Sequence, residues 1–342
     1  MIRADASATI GTGHVMRCLA LAQRWQAAGG EAVFAMAETT DAMDRRLGNQ
    51  GARVLRFAAL RGSRDDAKTT IKLLGETKAR WMVLDGYVFD DDYLAAIEET
   101  GVGSMVVDDT GGTGAFNCDL LLNQNLHARE DQYPHRGANT RMLLGPRFAL
   151  LRDEFVAYRD WSRDIPERAK TILVTMGGSD PENYTPRVIT ELQKSGIGDV
   201  KIQVVLGGSG ERRFRELSEA GRLRVSVIRE STNMADLMAS ADLAISASGS
   251  TCWEMCLLGL PAILFPVAKN QEPIASALAV EGAAIDAGRV EENIRALAET
   301  VSALVGDADR RHAMSRAARS LVDGWGRERV LEAMGAGDRV CA

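Results

Sequence analysis

A chain of 342 residues with a formal net charge of −6 has the length of two domains and lacks the basic excess of a nucleic-acid binder. Hydrophobic residues at 46% and charged residues at 26% suit a globular protein with an apolar core in each half. No apolar run approaches the ~18 residues of a membrane span, the start lacks a signal-peptide pattern, and the five cysteines (Cys18, Cys118, Cys252, Cys256, Cys341) form no CxxC pair, so the expectation is a reduced, cytoplasmic protein without disulfides.

The first half alternates short apolar runs with amphipathic stretches. Strands are predicted at residues 2–6, 32–36, 52–57, 81–84, 104–107, 120–122 and 141–144. After the first of them, Val15, Cys18, Leu19 and Ala22 keep the three-and-four rhythm of a helix face. The second half repeats the scheme, with strands predicted at 171–175, 202–206, 224–228, 243–246, 262–265 and 284–286. Between the halves, residues 158–169 are rich in charge and hold Pro166, a linker-like composition. A last helix is predicted over 324–334, with Trp325, Val330, Leu331 and Met334 apolar. Strands alternating with helices imply parallel sheets covered on both faces. The expected fold is α/β: two Rossmann-like domains with a cleft between them, residues 1–158 and 159–324, followed by a helix within 325–342.

The carboxyl ends of the predicted strands are polar or glycine-rich. In the first half they read Asp5, Asp85-Gly86-Tyr87, Asp108-Asp109, Asn123-Gln124-Asn125 and Gly145-Pro146. In the second they read Gly177-Gly178-Ser179-Asp180, Gly207-Gly208, Ser246-Ala247-Ser248-Gly249 and Asn270-Gln271. Turns favour such residues, but open parallel sheets also bind ligands beyond this end.

Gly11-Thr12-Gly13-His14 joins the first strand to the first helix. Its glycines allow close backbone approach, and a helix start offers free N–H groups to phosphate. The dinucleotide fingerprint GxGxxG fails at Met16, and no Walker A motif occurs. His14 is one of four histidines, and a helix start favours the neutral imidazole that can accept a proton. Asp5 reads equally as a residue that orients His14 and as a turn residue. In Ser248-Gly249-Ser250-Thr251-Cys252-Trp253-Glu254, Thr251 and Glu254 have capping-box spacing, and Gly259 with Pro261 ends the helix. The same stretch suits a diphosphate at the helix start, with Glu254 accepting from the two hydroxyls of a ribose. Asp90-Asp91-Asp92 precedes an apolar helix and reads as its cap rather than a metal motif. Neither metal-ligand clusters nor the GxSxG nucleophile elbow occur, so no metal or cofactor is expected. Arg212, Arg213 and Arg215 read as a solvated helix face.

Arg3-Ala4-Asp5-Ala6-Ser7 followed by residues 10–19 (IGTGHVMRCL) resembles the opening of the UDP-2,4-diacetamido-2,4,6-trideoxy-β-L-altropyranose hydrolase family. The resemblance continues in order through Asp85-Gly86-Tyr87, residues 119–125, Leu144-Gly145-Pro146 with Leu151-Arg152, residues 177–183, residues 247–261 and Asn270-Gln271. It implies a GT-B fold like that of the glycosyltransferase that adds N-acetylglucosamine to the peptidoglycan lipid precursor. It also implies metal-independent inverting hydrolysis of a UDP-linked sugar to free sugar and UDP, on the route to pseudaminic acid used on flagellin and surface glycans. Under this resemblance His14 is the catalytic base, with Tyr87 and Asn270 beside it. Substrate contacts fall on Asp5, Gly11, Gly13, Arg17, Gly178, Ser248, Gly249, Ser250, Thr251, Glu254 and Gln271. By fold analogy UDP lies mainly on the second domain, with uracil near residues 227–230, and the last helix crosses back to the first domain. The implied partners are a UDP-sugar and water, with no nucleic acid and no membrane insertion, for a monomer. A glycosyltransferase, a UDP-sugar epimerase and a non-catalytic nucleotide-sugar sensor are the alternatives.

Overall fold

The computed structural model describes residues 1–7, 9–112, 114–178, 180, 182–206, 223–229 and 233–335. The chain divides into two compact units, residues 1–153 together with the segment after Gly324, and residues 154–324. All thirteen expected strands form, in two parallel sheets.

The first unit holds β1 (Ile2–Ala4), β2 (Val33–Met36), β3 (Arg53–Arg56), β4 (Trp81–Asp85), β5 (Gly103–Val107), β6 (Leu120–Asn123) and β7 (Arg141–Leu144). Their order across the sheet is β3-β2-β1-β4-β5-β6-β7. Successive residues of these strands enter different cores, as a pleated strand requires. Ile2, Ala4, Val83, Met105, Val107 and Leu122 pack with helix α1 (Gly13–Ala27). Met82, Leu84, Val106 and Leu121 pack on the other face with Leu74, Leu94 and Ile97. A sheet buried on both faces explains why these runs read as continuously apolar. The first strand is shorter than expected. After Ala4 the chain leaves the sheet, and the Asp5 carboxylate accepts from the amides of Ala37 and Glu38, both at 2.9 Å.

Val330 and Met334 of the carboxyl-terminal segment join the α1 core. The Gly326–Ala333 helix starts against the chain at Ala149, where a Cβ on Gly326 would stand 2.2 Å from the Ala149 carbonyl oxygen and 2.5 Å from its nitrogen. Replacing Gly326 with alanine is therefore expected to destabilise the first unit by roughly 1–3 kcal/mol, the usual cost of overpacking. Thermal melting checks this, and an unchanged midpoint would contradict the close approach.

The second unit holds β8 (Thr171–Thr175), β9 (Lys201–Leu206), β10 (Arg224–Arg229), β11 (Leu243–Ala247), β12 (Ala262–Phe265) and β13 (Ala284–Asp286), ordered β10-β9-β8-β11-β12-β13. Ile172, Val174, Ile202, Val204, Ile245 and Phe265 centre its core. The segment read as a linker is fastened down. Ile165 and Ala169 are buried, and Arg163 donates to the carbonyls of Leu258 at 3.0 Å and Met238 at 2.7 Å. Gly207, Gly208, Arg212, Arg213, Arg215, Glu230 and Cys341 lie outside the described residues, as do Ser179 and Pro181.

Strand order reverses between β1 and β4 in one sheet and between β8 and β11 in the other. In open α/β sheets the crevice at such a reversal, beyond the strand carboxyl ends, is where ligands bind. The loops after β1 and β4 carry Gly11–His14 and Tyr87. The loops after β8 and β11 carry Gly177-Gly178 and Ser248–Ser250.

Candidate active site

In the first unit the loop after β1 is tied into a small ring. The Gly11 amide donates to the Ser7 carbonyl at 2.9 Å, and the Ile10 amide donates to Ser7 Oγ at 3.2 Å. Gly11 has φ of 81°, a left-handed conformation that favours glycine. Helix α1 then begins at Gly13, with Thr12 as an N-cap that makes no side-chain bond and no acidic residue in the first turn. Val15, Cys18, Leu19 and Ala22 are all buried, so the helix is clamped to the sheet and His14 stands in its first turn, with its side chain 16% exposed.

His14 Nδ1 lies 3.6 Å from Asp85 Oδ1, at the carboxyl end of β4. Asp85 is fully buried and receives Arg17 in a fork, from Nε at 2.6 Å and Nη2 at 2.7 Å. Cys18 Sγ donates to the same carboxylate at 3.3 Å. The remaining Arg17 nitrogen, Nη1, donates to both oxygens of Asp109 at 2.7 and 2.8 Å. Asp109 also accepts from the Tyr87 hydroxyl at 2.8 Å and from Asn125 Nδ2 at 3.0 Å. Tyr87 shows half its surface to solvent while its hydroxyl points inward, and its ring meets His14 edge-on with centroids 4.9 Å apart.

Charge orders this cluster. Burial works against the Asp109 charge, but Arg17 outweighs it and holds the carboxyl well below the usual range. Burial likewise opposes the Arg17 cation, and the two aspartates reverse that and raise it. Burial and the Asp109 charge push the Tyr87 hydroxyl up, so it stays protonated and donating. Burial, followed by Asp85, raises the Cys18 thiol, which is thus a weak donor rather than a nucleophile. Nearby, burial lowers His127, whose Nδ1 is buried without a hydrogen-bond partner.

Two expected site residues have other work. Asp5 pairs with Arg3 at 2.7 Å as well as with the Ala37 and Glu38 amides; the carboxylate facing His14 is that of Asp85. Arg17, expected to touch substrate, is 5% exposed, and all three guanidinium nitrogens face aspartates. Asp85, Asp109 and Asn125 lie on the polar strand ends visible in the sequence, but the contacts that join them to Arg17 span up to 92 residues and leave no local signal. Asp90 caps the helix that follows it, accepting from the Tyr93 amide at 2.9 Å.

In the second unit Gly177 turns the chain after β8 with φ of 94°. After β11 comes the Thr251–Leu257 helix. Its N-cap is Ser250, with helical torsions and no side-chain cap bond, so the expected Thr251–Glu254 box does not make the cap. Gly259, with φ of 56°, ends this helix as expected. Ser248 is buried, and its Oγ donates to the Gln271 carbonyl at 3.1 Å. Gln271 Oε1 accepts from the Val267 amide at 3.1 Å, which turns Nε2 toward Gly249. Thus the Ser248–Ser250 loop and the Lys269–Gln271 turn after β12 support each other, with Glu254 and Asn270 half-buried.

Among the described residues, no helix is long and apolar enough to cross a membrane. Residues 171–325 match the glycosyltransferase family 28 C-terminal domain. MurG of Acinetobacter baumannii superposes with a TM-score of 0.68 at 17% identity, covering 98% of each chain. The two Rossmann-like units thus define a GT-B protein. An uncharacterized protein of Methanocaldococcus jannaschii is 25% identical over 76% of this chain, which spans 54% of that protein's length. The UDP-2,4-diacetamido-2,4,6-trideoxy-β-L-altropyranose hydrolase of Campylobacter jejuni is 26% identical over 82% of this chain and 96% of its own. The spore coat polysaccharide biosynthesis protein SpsG of Bacillus subtilis is 30% identical over 68% of this chain and 69% of its own. The chain belongs to the family formed by these hydrolases and SpsG.

Proposed function

We propose that this protein hydrolyses a UDP-linked 2,4-diacetamido-2,4,6-trideoxy sugar of altrose type to free sugar and UDP, as a step of nonulosonic (pseudaminic) acid biosynthesis. The observation that carries the reading is His14 in the first turn of α1, facing the buried Asp85 and flanked by Tyr87, at the strand-order reversal. The similarity to the Campylobacter jejuni hydrolase supports the substrate class.

The proposed reaction is one displacement at the anomeric carbon. A water oxygen attacks C1 while His14 Nε2 takes its proton. The bond from C1 to the diphosphate oxygen breaks, its electron pair leaves with UDP, and the configuration at C1 inverts. UDP is stable as an anion, so no general acid need protonate it, unlike the leaving group of an ordinary inverting glycosidase. The backbone donors at Gly178 and Ser248–Thr251 suit the diphosphate, and Glu254 suits the ribose diol. Asn270 is assigned to a sugar substituent or the attacking water, and Tyr87 to the wall of the sugar pocket. The reaction needs neither metal nor acceptor.

Purified protein incubated with the altrose-type UDP-sugar in EDTA should yield UDP and free sugar in equal amounts. The second reading is a glycosyltransferase, favoured by the family 28 match. Tight UDP binding with release only after an acceptor is added would select it.

A further inference from the structure

We propose that the buried Asp85–Arg17–Asp109 array is a positioning device that fixes His14 and Tyr87 together and sets which nitrogen of His14 acts. This inference rests on His14 serving as the base of the proposed hydrolysis.

The geometry has three parts. Asp85 cannot swing, because the Arg17 fork and Cys18 Sγ hold both its oxygens. Its Oδ1 stands 3.6 Å from Nδ1 of His14, too far for a formed hydrogen bond but opposite that nitrogen. A proton on Nδ1 therefore faces the carboxylate, and Nε2 keeps the lone pair for water. On the other side of the guanidinium, Asp109 holds the Tyr87 hydroxyl, and Tyr87 sets the edge of its ring against the imidazole. One guanidinium thus ties together the two residues that flank the proposed reaction.

The test reads His14 directly, by ¹⁵N NMR of the histidine rings in full-length protein, alongside turnover of the UDP-sugar. In Asp85→Asn the Nδ1–H tautomer of His14 should lose its dominance, and kcat should fall about 10²-fold, at the lower end of what a positioned base supplies. Asp109→Asn should shift the tautomer ratio by less and release the Tyr87 ring. If Asp85→Asn does not fold, Asp109→Asn carries the test by the same readout. A His14 tautomer ratio unchanged from wild type overturns the proposal. Because the NMR arm needs no substrate, wild-type protein that fails to turn over the UDP-sugar refutes the hydrolysis reading without deciding the array.

Discussion

Replacing His14 with alanine should cut turnover of the UDP-sugar by about 10²–10⁴-fold, the range a positioned base supplies, and leave UDP affinity within a few-fold of wild type. The split follows from where the side chain sits. Among the described residues, the His14 side chain approaches Asp85 and meets Tyr87 edge-on. The residues assigned to UDP lie in the loops after β8, β11 and β12, on another part of the chain. Calorimetry with UDP and steady-state kinetics with the sugar measure the two quantities separately. Near-normal turnover in His14→Ala would remove the base from the account.

Replacing Arg17 with methionine should be the most damaging single change to the first unit. It leaves Asp85 and Asp109 buried side by side with no cation between them. Breaking a buried ion pair by deleting one partner typically costs about 3–5 kcal/mol. The pH dependence of this loss has a defined sign. In the wild type the Asp109 carboxyl is held below its unfolded value, ordinarily near ~3.9. Its contribution is therefore complete above that pH and fades as pH falls toward the folded value. Without Arg17, burial, the largest influence on Asp109, is opposed only by weaker partners such as Tyr87 and Asn125, and it raises the carboxyl. The variant then loses stability as pH rises, because the buried group must ionise. The gap in melting temperature between wild type and Arg17→Met should accordingly be wide at pH 7 and narrow near pH 4. An equal gap at both values would mean that Arg17 serves by packing rather than by charge.

Strand positions were readable because a parallel sheet buried on both faces writes them as short runs of valine, leucine, isoleucine and methionine. β7, β8, β12 and β13 fall on the expected residues, and every other strand except β1 differs by one residue at one or both ends. β1 stops early for a reason no local pattern carries, namely that Asp5 turns to the amides of Ala37 and Glu38. The linker composition at 158–169 also misleads. Its arginines are anchors, with Arg163 donating to the carbonyls of Leu258 and Met238 and Arg168 to that of Ile197 at 3.0 Å, and Arg311 reaches back to the carbonyl of Pro166 at 2.9 Å.

The candidate site was legible in type but not in wiring. The glycine turn before His14, the polar end of β4 and the small residues after β11 all stood out as strand ends capable of meeting a ligand. What stayed hidden was the choice of partner. Asp5 and Asp85 both end strands next to the first helix, and only the register of β1 against β4, with Ala4 beside Asp85, decides which faces the imidazole. Arg17 enters the expected site only through the family resemblance, and its burial between two aspartates carries no local signal in the sequence.

The measurement closest to the central claim is turnover of the altrose-type UDP-diacetamido sugar in ¹⁸O-labelled water, with EDTA present and no acceptor added. Mass spectrometry of both products reports which bond breaks. The account predicts one labelled oxygen in the free sugar, on its anomeric carbon, and unlabelled UDP. Label in the UDP would place cleavage at phosphorus, and no release without an acceptor would make the protein a transferase; either result would contradict hydrolysis at the anomeric carbon.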